Sequence, residues 1–114
     1  MTVSTHILDA VAGRPAAGVS VELCLRDDDG RSWRSVEAGV TDADGRIRFA
    51  AETVSGVYRL TFATGPYFAD RAVVTFYPEV VITFSTVTLD DASPGHYHVP
   101  LLLSPYSYST YRGS

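Results

Sequence analysis

His96-Tyr-His-Val-Pro-Leu-Leu-Leu-Ser-Pro-Tyr-Ser-Tyr-Ser-Thr-Tyr-Arg-Gly-Ser114 is the stretch whose reading decides the fold. A near-continuous apolar run, Val99 to Leu103, is followed by Ser104-Pro105 and then by Tyr106 to Tyr111, a segment of aromatic and hydroxylated residues. Both runs suit a pleated sheet, and the Ser-Pro step suits the turn between them. The closing residues of a domain are usually frayed and chemically idle. Here they include two histidines, a row of tyrosines and an arginine, which predicts a final segment docked against something.

The same grammar runs through the chain upstream. Val3 to Val11 reads as a first strand, punctuated by Gly13-Arg-Pro15. From Gly18 to Arg26, Val19, Val21, Leu23 and Leu25 alternate with Ser20, Glu22, Cys24 and Arg26, the period of two of a half-buried strand. Trp33 to Thr41, Arg46 to Phe49, Gly56 to Ala63 and Pro78 to Thr86 are further strands. Asp27-Asp-Asp-Gly30 and Asp42-Ala-Asp-Gly45 are turn signals, because Asp and Gly tolerate the backbone that tight turns need. The first of them lacks the alternating ligands and distal Glu of a calcium loop. Gly65 to Arg71 fits a helix of about two turns with Pro66 near its start. Asp90 to Gly95 breaks the chain before the closing pair. About eight short strands with one short helix predict an all-β fold, a sandwich of two antiparallel sheets, as a single domain over residues 1–114. Apolar and aromatic residues on both faces of the closing strands predict an oligomer.

Composition narrows the function. The net charge of −4 over 114 residues argues against nucleic acid as a partner. All nine basic residues are arginine, so proton transfer near neutral pH falls to histidine and carboxylates. Cys24, the single cysteine, excludes an intrachain disulfide and a thiolate zinc cluster, and its alternating segment predicts a buried small hydrophobe. The first residues lack the features of a signal peptide and no run reaches membrane-spanning length, so a cytoplasmic location away from the membrane is the expectation.

Three histidines carry the candidate chemistry. His6 alternates with Ser4 and Leu8 in the first strand, and His96 and His98 share a face because strand residues two apart point the same way. An open zinc site built on them would lack a carboxylate at ligand spacing and would face nearby arginines, so neither a metal nor another cofactor is expected. Arg46 follows a turn glycine and Arg112 lies near the end; a guanidinium fork suits the carbonyl and anionic edges of a polar heterocycle.

Taken in order, Ser4-Thr-His-Ile-Leu-Asp-Ala-Val-Ala-Gly-Arg-Pro-Ala-Ala-Gly18, Gly39-Val-Thr-Asp-Ala-Asp-Gly-Arg46, Tyr67-Phe68, Phe76-Tyr-Pro-Glu-Val80 and the ending Ser109-Thr-Tyr-Arg-Gly-Ser114 resemble the 5-hydroxyisourate hydrolases, transthyretin-related enzymes of urate breakdown. The resemblance covers essentially the whole chain. Its most specific mark is the final Tyr-Arg-Gly-Ser, which transthyretin itself lacks. It implies a transthyretin-like sandwich assembled as a homotetramer, with sites in a central channel between subunits. It also implies hydrolysis of 5-hydroxyisourate to 2-oxo-4-hydroxy-4-carboxy-5-ureidoimidazoline without a metal. Carried over by position, His6, Arg46, His98 and Ser114 are the expected catalytic residues. The same four, with Tyr111, Arg112 and Gly113, are the expected substrate contacts. His6 and His98 would hold and deprotonate the water, either serving as base, while Arg46 and Arg112 bind substrate oxygens. Tyr111 would shape the channel floor, and the Ser114 carboxylate would pair with an arginine or position a histidine. His96 would lie at the channel mouth or behind the residues that touch substrate. Asp42 and Ser107 stand where the family often has asparagine and glycine. The rival expectation is a transthyretin-like carrier that binds an aromatic ligand without reacting, with apolar and hydroxyl groups lining its channel.

Overall fold

The computed structural model describes residues 1–86 and 95–114, so the break expected over Asp90 to Gly95 falls, apart from Gly95, outside the described residues. Along the chain lie β1 (Thr2–Asp9), β2 (Arg14–Pro15), β3 (Ser20–Arg26), β4 (Trp33–Val40), β5 (Arg46–Arg48) and β6 (Gly56–Phe62). The helix α1 (Thr64–Ala69) follows, then β7 (Val80–Thr86), β8 (His96–Ser104) and β9 (Ser107–Thr110). They form an all-β sandwich. One sheet runs β4-β3-β6-β7 and is antiparallel throughout. The other runs β2-β1-β8-β9, with β5 also paired to β1.

Alternation builds the core. Val3 and Ile7 of β1, Leu23 of β3, Leu60 and Phe62 of β6, and Leu101 and Leu103 of β8 have essentially no exposed surface. Burial of each such side chain stabilises the fold by about 1.5–3 kcal/mol. Thr5, also fully buried, satisfies its hydroxyl by donating to the Val99 carbonyl at 2.7 Å. Helix α1 seats Tyr67 and Phe68 against this core as an edge-to-face pair. Cys24 is buried as expected, its thiol pushed up by that burial and by Glu22, to which it donates.

Three features that bear on the site depart from the sequence reading. The first strand ends at Asp9, not Val11, because the Asp9 carboxylate accepts the backbone N–H groups of Val11 and Ala12 and curls the chain away. More consequential, β1 and β8 pair in parallel, in register from Thr2 opposite His96 to Asp9 opposite Leu103. A parallel pair needs a long crossover, which the intervening chain supplies. Strand β8 also starts at His96, ahead of the apolar run, because Thr2 and Val3 pair with His96 and Tyr97.

Candidate active site

With a period of two, β1 turns Val3, Thr5, Ile7 and Asp9 inward and leaves Thr2, Ser4, His6 and Leu8 on the outer face of their sheet. The parallel register puts Thr2 beside His96 and Ser4 beside His98. The Ser4 hydroxyl stands 2.8 Å from His98 Nδ1 and 2.8 Å from His96 Nε2. His96 Nδ1 in turn lies 2.6 Å from Thr2 Oγ1. Ser4, which the sequence reading passed over, is thus the link between two histidines it had paired by spacing alone.

Arg46 reaches this face through the turn before it. Asp42 accepts the backbone N–H groups of Asp44 and Arg46 at 2.9 Å each. Gly45, at φ 74°, passes so close to β1 that a Cβ would sit 2.5 Å from the Ile7 carbonyl oxygen, and its own carbonyl accepts the Ile7 N–H at 2.8 Å. Only glycine fits there. The turn delivers β5 to the edge of β1 with Arg46 opposite His6 and Arg48 opposite Ser4.

The final residues close the site from the other side. The Gly113 N–H donates to the His98 carbonyl at 2.8 Å, an isolated bridge that lays the end of the chain on β8. A Cβ on Gly113 would collide with the His98 ring, so the backbone lies directly against the imidazole. Ser114 then borders a cavity of about 400 Å³ together with Ser4, Asp42, Arg46, His96 and His98. Burial holds the His98 imidazole below its ordinary pKa, and its neighbours His6, His96 and Arg46 push the same way. At neutral pH His98 is an uncharged base with Nδ1 engaged by Ser4 and Nε2 as its other nitrogen.

The structure therefore gathers His98, Arg46, Ser114 and, beside them on β1, His6. Tyr111 and Arg112 line an adjoining cavity of about 250 Å³ with Ile82, Phe84, Tyr97 and His98, so His98 borders both cavities. The Arg112 guanidinium lies 4.8 Å from the centre of the Tyr97 ring. Among the described residues no three His, Cys, Asp or Glu side chains come together as a metal centre requires. Both His96 nitrogens are engaged by hydroxyls. No helix among the described residues is long and apolar enough to cross a membrane.

The model of the HIUase/Transthyretin family matches residues 3–113. A 5-hydroxyisourate hydrolase of Salmonella dublin is 46% identical over 114 residues, covering 97% of this chain and 79% of that protein. The solved structure of Klebsiella pneumoniae 5-hydroxyisourate hydrolase is 39% identical, with a TM-score of 0.83 and full coverage of both chains. Sea bream transthyretin in complex with thyroxine superposes with a TM-score of 0.87 at 33% identity, covering 97% of this chain and 93% of that one. Fold likeness is as strong to the thyroxine complex as to the hydrolase, so shape fixes the family and leaves the chemistry to the residues. With a match running from the first strand to the penultimate residue, this chain belongs to the HIUase/Transthyretin family.

Proposed function

We propose that this protein hydrolyses 5-hydroxyisourate to 2-oxo-4-hydroxy-4-carboxy-5-ureidoimidazoline. The observation that carries the reading is the half-buried His98, held neutral beside Arg46 and fixed through Nδ1 by Ser4. Support also comes from relatives named 5-hydroxyisourate hydrolase at 46% identity. Opening a cyclic amide with water calls for a base near neutral pKa and a cation to steady the developing oxyanion. His98 Nε2 takes a proton from water, with His6 holding that water or sharing the role. The hydroxide adds to the ring carbonyl, Arg46 faces the oxyanion, and the carbon–nitrogen bond breaks as the nitrogen is protonated. A general base contributes about 10²–10⁴-fold, so these residues supply chemistry of the needed size.

The working form in this reading is a homotetramer with its sites in a central channel. Strand β9 supports it: every residue of β9 is exposed, and Tyr106 and Tyr111 beside it are 65% and 58% exposed. In the channel Tyr111, Arg112 and Gly113 contact substrate from around the His98 and Arg46 cavity. The purified protein should accelerate the loss of ultraviolet absorbance of freshly generated 5-hydroxyisourate. Decay at the spontaneous rate would instead point to a non-catalytic carrier.

A further inference from the structure

The row Thr2, His96, Ser4, His98 obeys a proton count. Ser4 has one hydroxyl proton and stands 2.8 Å from a nitrogen of each imidazole. It donates to one of them, so the other nitrogen must carry a proton and donate to Ser4 Oγ. The two tautomers are locked together through a single oxygen. For His98 to offer a lone pair at Nε2, its proton sits on Nδ1 and points at Ser4. Ser4 then donates to His96 Nε2, and neutral His96 donates from Nδ1 to Thr2 Oγ1 at 2.6 Å. The base-ready form of His98 is the one in which every donor in the row points outward.

Building on the hydrolytic reading above, we propose that Ser4 and His96 form a proton relay for His98, carrying charge from the reacting water to an exposed imidazole and back. As the water oxygen bonds to the ring carbonyl carbon, its proton passes to His98 Nε2. The His98 Nδ1 proton moves to Ser4, and the Ser4 proton moves to His96 Nε2. His98 ends neutral, His96 ends as imidazolium, and the substrate holds the oxyanion. When the carbon–nitrogen bond breaks, His98 Nε2 gives its proton to the leaving nitrogen and the two other protons step back. All charges balance, and no imidazolium forms at His98.

The surroundings explain why that matters. His98 is half-buried, its burial and the neighbouring His6, His96 and Arg46 all disfavour a charge on it, and Arg48 borders the same cavity. Asp42 also borders the cavity, but it accepts two backbone N–H groups. His96 is exposed, where water stabilises a cation.

Ser4→Ala and His96→Asn test the relay, beside the parental protein and His98→Asn. Both relay variants should lose roughly tenfold or more in kcat with KM little changed, short of the ~10²–10⁴-fold of a general base. In mixed light and heavy water the parental kcat should fall along a curve, reporting several protons in motion, and Ser4→Ala should fall along a straight line. Added imidazole should restore His96→Asn. Independently of turnover, nitrogen NMR should show the His96 and His98 tautomers changing in step in the parental protein and separately in Ser4→Ala. Parental kcat in both relay variants beside an inactive His98→Asn would overturn the relay and leave the hydrolysis intact. Reduced kcat with an unchanged isotope curve would mean that Ser4 only holds the ring, and would overturn it too. A parental protein without activity would sink the hydrolytic reading first, and the relay with it.

Discussion

Strand β1 serves two polar groupings of opposite construction. At its far end, on the inward face, the buried Asp9 carboxylate accepts the Tyr67 hydroxyl at 2.8 Å and the backbone N–H groups of Val11 and Ala12. Burial and that carboxylate push the Tyr67 phenol up to about 12, so it stays a donor. The Arg71 guanidinium lies 3.7 Å above the Tyr67 ring and donates to its carbonyl. Opposite charges and matched donors close this grouping on itself. On the outward face, Ser4 stands between two imidazoles, with a third imidazole and two guanidiniums nearby. Two imidazoles share one oxygen beside an open cavity that Arg46 and Arg48 also border. The closed grouping stabilises the fold; the open one leaves a demand for an oxygen-rich partner.

The contrast breaks most visibly at His98. His98→Asn should lower kcat by about 10²–10⁴-fold while the unfolding free energy changes by less than about 1 kcal/mol. A large loss of stability in urea unfolding would place His98 with the structural grouping. The reverse is expected of Asp9→Ala, which strands two backbone donors and the Tyr67 hydroxyl. It should cost about 3 kcal/mol of stability and leave kcat of the folded fraction at the parental value. A drop in kcat beyond the unfolded fraction would show the two groupings to be coupled through β1.

Gly113→Ala sharpens the comparison on a smaller scale. The added methyl must displace the His98 ring, so a fall of about tenfold in kcat is expected at parental stability. Smallest is the pH effect. His98 in the folded state has its pKa below the ordinary imidazole value of 6.5, so between the two values the unfolded chain binds more protons. Stability from this source is complete above that value and declines as the pH falls through the window. His98→Asn should flatten that decline in melting curves taken across mildly acidic pH.

Much of this was legible in the residues, and the rest was hidden for definite reasons. Alternation located the strand from Ser20 to Arg26, strong β-formers the one from Gly56 to Phe62, and Pro66 at a first-turn position the short helix around Tyr67, because all three signals are written locally. Pairing is not written locally. Nothing in Ser4-Thr-His says that Ser4 will lie beside His98, so the hydroxyl joining two histidines stayed invisible until the parallel register was known. Asp9 was concealed differently: Leu8-Asp-Ala-Val11 reads as continuing strand, and the turn depends on a carboxylate folding back on its own backbone. Tyr111 and Arg112 illustrate a third case. Family position grouped them with His98 and Arg46 alike, and one chain sets them in a cavity that His98 lines but Arg46 and Ser114 do not.

The parallel union of β1 with β8 has a kinetic consequence. Ser4 and His98 are separated by 94 positions, so their contact closes nearly the whole polypeptide into one loop. Contacts of such long range are entropically dear and form late, whereas the β3–β4 hairpin is local. During refolding from denaturant, strand signal should therefore appear before turnover does, and the enzyme should switch on only as its last sheet zips shut.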